Sequence, residues 1–160
     1  MRKFVFSLLF CLVALPGLCK TMTWNDALGI LYNILQDSAY EVSYALQETG
    51  MGTGADLYVE KEDGNLYFEM DVTWRTFKNT SETELKKRCD GVAYELIKMA
   101  KQEDSVDVLR DIVNVMQSTG HKIILVAVAE DSKGETYVKD ASITAADLKR
   151  IAKNKFRLNI

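Results

Sequence analysis

The sequence predicts an α+β domain built on one antiparallel sheet of four or five strands, with helices packed mainly on one face. Three observations carry this expectation. Segments whose apolar residues recur at helical spacing open with Ser or Thr capping patterns, and they alternate with segments of strand-like period. The strands come in pairs joined by short turns containing Gly, and short links join antiparallel neighbours. Finally, 160 residues that are 48% hydrophobic and 27% charged, with a net charge of −3, have the composition of an ordinary folded domain. Such a length suffices for one apolar core, and residues 20–160 are expected to form one domain.

Residues 1–19 read as a signal peptide. Arg2 and Lys3 form a basic start, Phe4 to Leu15 is an apolar run of twelve, and Pro16 and Gly17 end it before Lys20. A run of that length is too short to span a bilayer as a helix, which takes about 20 residues. The remaining chain has no apolar stretch of membrane-spanning length. Small residues at Gly17 and Cys19 place the cut before Lys20, with a cut after Gly17 as the competitor. Cys19 also raises lipid anchoring as an alternative, against which stands the bulk of Leu18 just before it. The expected location is therefore periplasmic or extracellular.

Export leaves Cys89 as the single thiol, so the mature domain has no intrachain disulfide and stands on its core. Removing Arg2 and Lys3 leaves 18 basic against 23 acidic residues. An acidic domain lacks the basic face that nucleic acid requires, so no nucleic-acid partner is expected.

The expected element order is α-(β)-β-β-α-α-β-β-α. Thr23 with Asp26 is a capping pattern, and Trp24, Leu28, Leu31 and Leu35 form the apolar stripe of a first helix. Tyr40 to Gln47 reads two ways. Tyr40, Val42, Tyr44 and Leu46 alternate as in a strand, which their residue types favour, whereas Ala39, Val42 and Leu46 continue the helical stripe. Leu57–Lys61 and Leu66–Trp74 then flank Glu62-Asp63-Gly64-Asn65, where Asp-Gly signals a two-residue hairpin turn. Alternation puts Leu57, Val59, Phe68, Met70, Val72 and Trp74 on a core face. Tyr58, Glu60, Tyr67, Glu69, Asp71, Thr73 and Arg75 fall on the opposite face.

Ser81 with Glu84 opens a helix to about Lys101, buried along Leu85, Cys89, Val92, Leu96 and Met99. Val106, Leu109, Val113 and Met116 mark the next helix, which Gly120 ends. The unbroken apolar run Ile123–Ala129 reads as a central strand. A turn at Ser132-Lys133-Gly134 returns the chain as Glu135–Lys139, and Thr144 with Asp147 caps a last helix through Leu148 and Ile151.

No pattern along the chain spells a catalytic or cofactor motif. Gly50-Met51-Gly52-Thr53-Gly54 lacks the following helix and Lys-Ser/Thr pair of a phosphate loop, and reads as a flexible loop. His121 is the sole histidine, so a Cys89–His121 dyad is the only thiol–imidazole pair available, but Cys89 sits on a buried stripe where thiols are inert. Two such ligands are too few for structural zinc, and no acidic loop has calcium spacing, so no metal or cofactor is expected.

Glu60, Glu69 and Asp71 share the outer hairpin face, where paired carboxylates invite comparison with hydrolases. An open sheet face supplies no burial to raise one of their pKa values, so solubility is the simpler reading. Lys149, Arg150, Lys153, Lys155 and Arg157 cluster near the C-terminus, where basic residues also complement a helix dipole. Asn79-Thr80-Ser81 is a glycosylation sequon in a eukaryotic setting.

The functional expectation is an exported, non-catalytic binding module for a protein or carbohydrate. Its surface is Tyr58, Glu60, Tyr67, Glu69 and Arg75, or a groove between sheet and helices. Two alternatives stand beside it: a small secreted hydrolase using the hairpin carboxylates, and an accessory subunit of an envelope complex, lipid-anchored at Cys19.

Overall fold

The structure, a computed structural model, describes residues 21–48, 52–60 and 62–160. Residues 1–19, expected to be a signal peptide and including Cys19, and the Gly50-Met51 part of the glycine-rich stretch lie outside them. Helix α1 (Trp24–Glu48) begins where Thr23 and Asp26 exchange bonds: the Asp26 carboxylate accepts from the Thr23 N–H at 2.9 Å, and the Asp26 N–H donates to the Thr23 hydroxyl at 3.2 Å. This reciprocal pair satisfies two backbone donors at the helix start. The helix runs unbroken through 40–47, so the leaning toward a strand there is corrected. No glycine or proline interrupts residues 30–49, and extending a formed helix costs less than nucleating a new element.

Strands β1 (Gly52–Val59) and β2 (Leu66–Val72) form the first hairpin, with Tyr58 opposite Tyr67 and Val59 opposite Leu66. Gly52 and Gly54 therefore belong to a strand, with an irregularity in pairing between them, and not to a loop. The hairpin link is longer than the two-residue turn expected. Glu60 N–H donates to Asn65 O, and Gly64 N–H donates back to Glu60 O with Gly64 at φ +68°. Glycine suits that left-handed position because it has no Cβ.

β2 also ends sooner than expected. Thr73 caps a short helix α2 (Trp74–Asn79), accepting from the Thr76 N–H. Trp74 and Arg75 are thus helical, and Arg75 leaves the hairpin face altogether. A side-chain cap at Thr73 competes with strand extension, which the period of two alone does not reveal.

Ser81 caps α3 (Glu82–Gln102), and α4 (Val106–Thr119) ends at Gly120 in the left-handed conformation. Then come β3 (Ile123–Glu130), β4 (Thr136–Ile143) and α5 (Ala145–Ile151), which continues as a π-helical turn, Ala152–Phe156. At the start of α5, Thr144 and Asp147 form a complete capping box.

The four described strands stand in the order β1-β2-β3-β4. The α+β class holds, but the sheet is mixed where a purely antiparallel one was expected. β1–β2 and β3–β4 pair antiparallel, whereas β2 and β3 pair parallel from Leu66–Ile123 to Asp71–Val128. The cause is the crossover: α2, α3 and α4 together carry the chain back to the end of the sheet where β2 began, and a connection of that length permits parallel pairing.

One face of the sheet meets the helices. Leu66, Phe68, Met70 and Val72 from β2 join Ile123, Leu125, Ala127 and Ala129 from β3 in a single core. Leu31 and Leu35 of α1, Leu85 and Ile97 of α3, Ile112 and Met116 of α4 and Leu148 of α5 complete it. Val59, assigned to that face by alternation, is 39% exposed because it sits at the strand end beside the turn. The opposite face presents Tyr58, Tyr67, Glu69, Asp71, Val138 and Asp140, all half-buried or exposed, around Ile124 and Val126. Those two are buried yet lie outside the main core. Among the described residues, no helix is long and apolar enough to cross a membrane.

Candidate functional site: the tyrosine face of the first hairpin

Strand pairing places Tyr58 and Tyr67 directly opposite one another on the outer face. Their rings stack nearly parallel, with centroids 5.4 Å apart and planes 6° from coplanar orientation. Cross-strand aromatic pairs of this kind add roughly 0.5–1 kcal/mol to hairpin stability. Each hydroxyl is held by a carboxylate. Tyr58 donates to Glu69 Oε2 at 3.0 Å, and Tyr67 donates to Asp63 Oδ2 at 2.9 Å. The result is a fixed aromatic platform with acidic ends.

The electrostatics follow from that geometry. Burial, reinforced by the Glu69 hydrogen bond and the charges of Glu69 and Glu60, pushes the Tyr58 hydroxyl up to about 12. The Asp63 hydrogen bond raises Tyr67 as well, with burial and the charges of Asp63, Glu60 and Asp140 adding to it. Asp63 is lowered, first by the Asn65 backbone N–H at 2.8 Å, against a small opposing effect of burial. Both phenols therefore stay neutral donors at any ordinary pH.

Of the expected surface residues, the structure brings Tyr58, Tyr67 and Glu69 together and sets Glu60 beside them at the start of the turn. Arg75 belongs to α2 and is exposed there. Asp71 is exposed further along the same face. Asp63, an expected turn residue, proves to be part of the site because its carboxylate reaches Tyr67. An Asp four residues before a Tyr across a hairpin start is the local signal that identifies it.

A second cluster borders the platform. Trp24, at the start of α1, donates its indole N–H to Gly64 O at 2.7 Å. Its ring stacks on His121, with centroids 4.7 Å apart and planes within 6°. His121 Nδ1 is buried without a hydrogen-bond partner. Beside it, the Lys122 N–H donates to Asn65 Oδ1 at 2.8 Å. So the hairpin turn is fastened to both the start of α1 and the entry to β3. His121, considered above only as the imidazole of a dyad, is half-buried in this clamp. Its position rests on contacts with residues 24 and 64, which no local pattern announces.

Cys89 and His121 do not meet as a dyad. Cys89 is fully buried in α3, and the charged groups around it are Lys86, Asp147 and Asp90. Burial pushes its thiol up to about 11, which removes the thiolate needed for nucleophilic chemistry. Among the described residues, no group of three or more His, Cys, Asp or Glu side chains is gathered as a metal site.

The C-terminal basic cluster is divided by its bonds. Lys149 donates to Gln117 and Arg150 to Asp90 and Asp147, whereas Lys153, Lys155 and Arg157 are exposed. In the sequon, Asn79 is exposed and the buried Thr80 hydroxyl donates to Thr76 O at 2.8 Å.

The fold and this face together define an α+β domain with an aromatic and acidic sheet surface. No family model matches the chain, and no curated protein or solved structure matches it either.

Proposed function

We propose that this chain is an exported binding module that recognises a protein or carbohydrate partner through the outer face of its first hairpin. The observation that carries the reading is the stacked Tyr58–Tyr67 pair, whose hydroxyls are fixed by Glu69 and Asp63. Two rings already locked in place lose little conformational entropy on binding, so their contact area converts efficiently into affinity. Flanking carboxylates supply acceptors for the hydroxyls of a sugar or the donors of a peptide. Export is supported by the Arg2-Lys3 start and the apolar run Phe4–Leu15; retention by a lipid on Cys19 is the alternative.

The test compares wild type with Tyr67→Ala on a glycan array and in cross-linking capture from the native source. Tyr67 is half-buried on a solvent face, so its truncation lowers stability by less than about 1 kcal/mol. The expected result is a melting temperature within about 2 °C of wild type and at least tenfold weaker capture (about 1.4 kcal/mol). Equal capture by both proteins, or a collapse in melting temperature, overturns the reading.

A further inference from the structure

The outer rim of β4 has no role in the proposed binding face. β4 stands at one end of the sheet, with no described strand beyond it. The hydrogen-bonding phase of the second hairpin shows which of its backbone groups look outward. Asp131 N–H donates to Glu135 O, and the register continues as Ala129–Tyr137 and Ala127–Lys139. In an antiparallel ladder these alternate pairs exchange bonds, so the N–H and C=O groups of Thr136, Val138 and Asp140 point away from β3. Lys86 confirms the phase by donating to Ser142 O, the next outward carbonyl, at 2.6 Å. That bond ends the open stretch. Thr136, Val138 and Asp140 are all exposed, and Val138, at 60%, is the most exposed large hydrophobic residue described.

We propose that this rim is a self-pairing edge, through which two copies of the chain join their β4 strands antiparallel about a twofold axis at Val138. Every axis that passes through a residue of the stretch keeps the outward residues in phase, and the side chains choose among them: an axis at Asp140 opposes two aspartates, and one at Thr136 carries Asp140 past the partner's turn. An axis at Lys139 sets two lysines directly opposite each other, which is repulsive. An axis at Tyr137 leaves Asp140 facing Gly134 of the partner subunit, with no side chain to meet. The axis at Val138 sets the two valines together and places Asp140 opposite Thr136 of the partner subunit, a carboxylate against a hydroxyl. No like charges then face each other across the rim. Each Ser142 end, already occupied by Lys86, faces the partner's Gly134 at its turn, so the blocked ends fall outside the paired segment.

Sedimentation equilibrium of the purified protein from about 1 to 100 μM, the range that resolves weak association, tests this. A reversible dimer is expected, with the amides of Val138 and Asp140 slowing in hydrogen exchange as concentration rises. Val138→Pro removes one outward N–H that the monomer does not use, a substitution edge strands accept. It is expected to leave circular dichroism unchanged and weaken the dimer at least tenfold. Val138→Lys alters only an exposed side chain, and by opposing two charges at the axis is expected to do the same. A wild type that stays monomeric throughout overturns the proposal. So does a dimer that survives Val138→Lys, or one whose formation leaves the 138 and 140 amides unprotected.

Discussion

The two hairpins of this sheet use the same turn chemistry and are secured in opposite ways. Each turn has an aspartate whose carboxylate accepts a backbone N–H two residues on, and each has a glycine at positive φ: Asp63 and Gly64 at +68°, Asp131 and Gly134 at +81°. The second turn satisfies itself. Asp131 Oδ1 accepts from Lys133 and Glu135, and Gly134 N–H donates to Asp131 O. The first turn is instead clamped from outside by Trp24, His121 and the Lys122 N–H. A locally closed turn depends only on its own residues, whereas a clamped one couples its stability to elements distant in sequence.

Alanine at the two glycines breaks this comparison most sharply. Both substitutions force a Cβ into left-handed backbone, costing roughly 1–2 kcal/mol. At Gly134 the new atom meets only Glu130 Oε1 at 3.8 Å, an ordinary contact. At Gly64 it lies 3.0 Å from His121 Nε2, so the ring has to shift and its stack on Trp24 loosens. Urea unfolding is expected to show a loss of about 2–4 kcal/mol for Gly64→Ala against about 1–2 for Gly134→Ala. Equal losses would mean that the clamp contributes nothing.

Acid separates the anchors next. The second hairpin is tied down at its far end, where Lys86 bridges Ser142 O and the Asp147 carboxylate at 2.6 and 2.7 Å. Burial alone would raise Asp147, but the Lys86 ammonium and the Thr144 N–H and hydroxyl outweigh it and bring the carboxyl down to about 2 from 3.8. A lowered folded value means stability that is fully present above about pH 4 and lost as pH falls toward 2. The loss amounts to about 2 kcal/mol for this largely buried group, since each pKa unit corresponds to about 1.4 kcal/mol. Asp147→Asn is expected to flatten that part of the pH–stability curve between pH 4 and 2, and an unchanged slope refutes the assignment.

Trp24→Phe keeps an aromatic ring, smaller than the indole, but removes the donor to Gly64 O, with an expected cost of about 1–2 kcal/mol and faster hydrogen exchange at the first turn. Asp131→Ala removes two acceptor contacts from an exposed turn and should cost about 1 kcal/mol, with exchange faster only between 131 and 135. If Asp131→Ala also loosened the first turn, the hairpins would not be independent.

Legibility in the sequence follows the same division. Three of the four side-chain caps were readable: Thr23–Asp26, Ser81–Glu84 and Thr144–Asp147 each start a helix where expected. The outer-face membership of Tyr58, Tyr67 and Glu69 was readable too, because a strand's period of two assigns faces whatever the turn length. The turn itself was misjudged by length, and Arg75 by the unrecognised Thr73 cap. The roles of Asp63 and His121 are not legible there because they lie across the hairpin and across the domain.

What the chain's own order of residues determined is local: helix starts, the two faces of the first hairpin, the apolar run that became β3, and the closure of the turn at 131–135. These depend on interactions spanning a few positions, so composition and spacing contain them. Tertiary structure decided that β2 and β3 run parallel, and that Trp24 and His121 grip Gly64. A parallel pair has no signature within either strand, since its direction is set by the path of the three helices between them. A ring stacked between residues 24 and 121 exists only once the core has brought the start of α1 and the entry to β3 side by side.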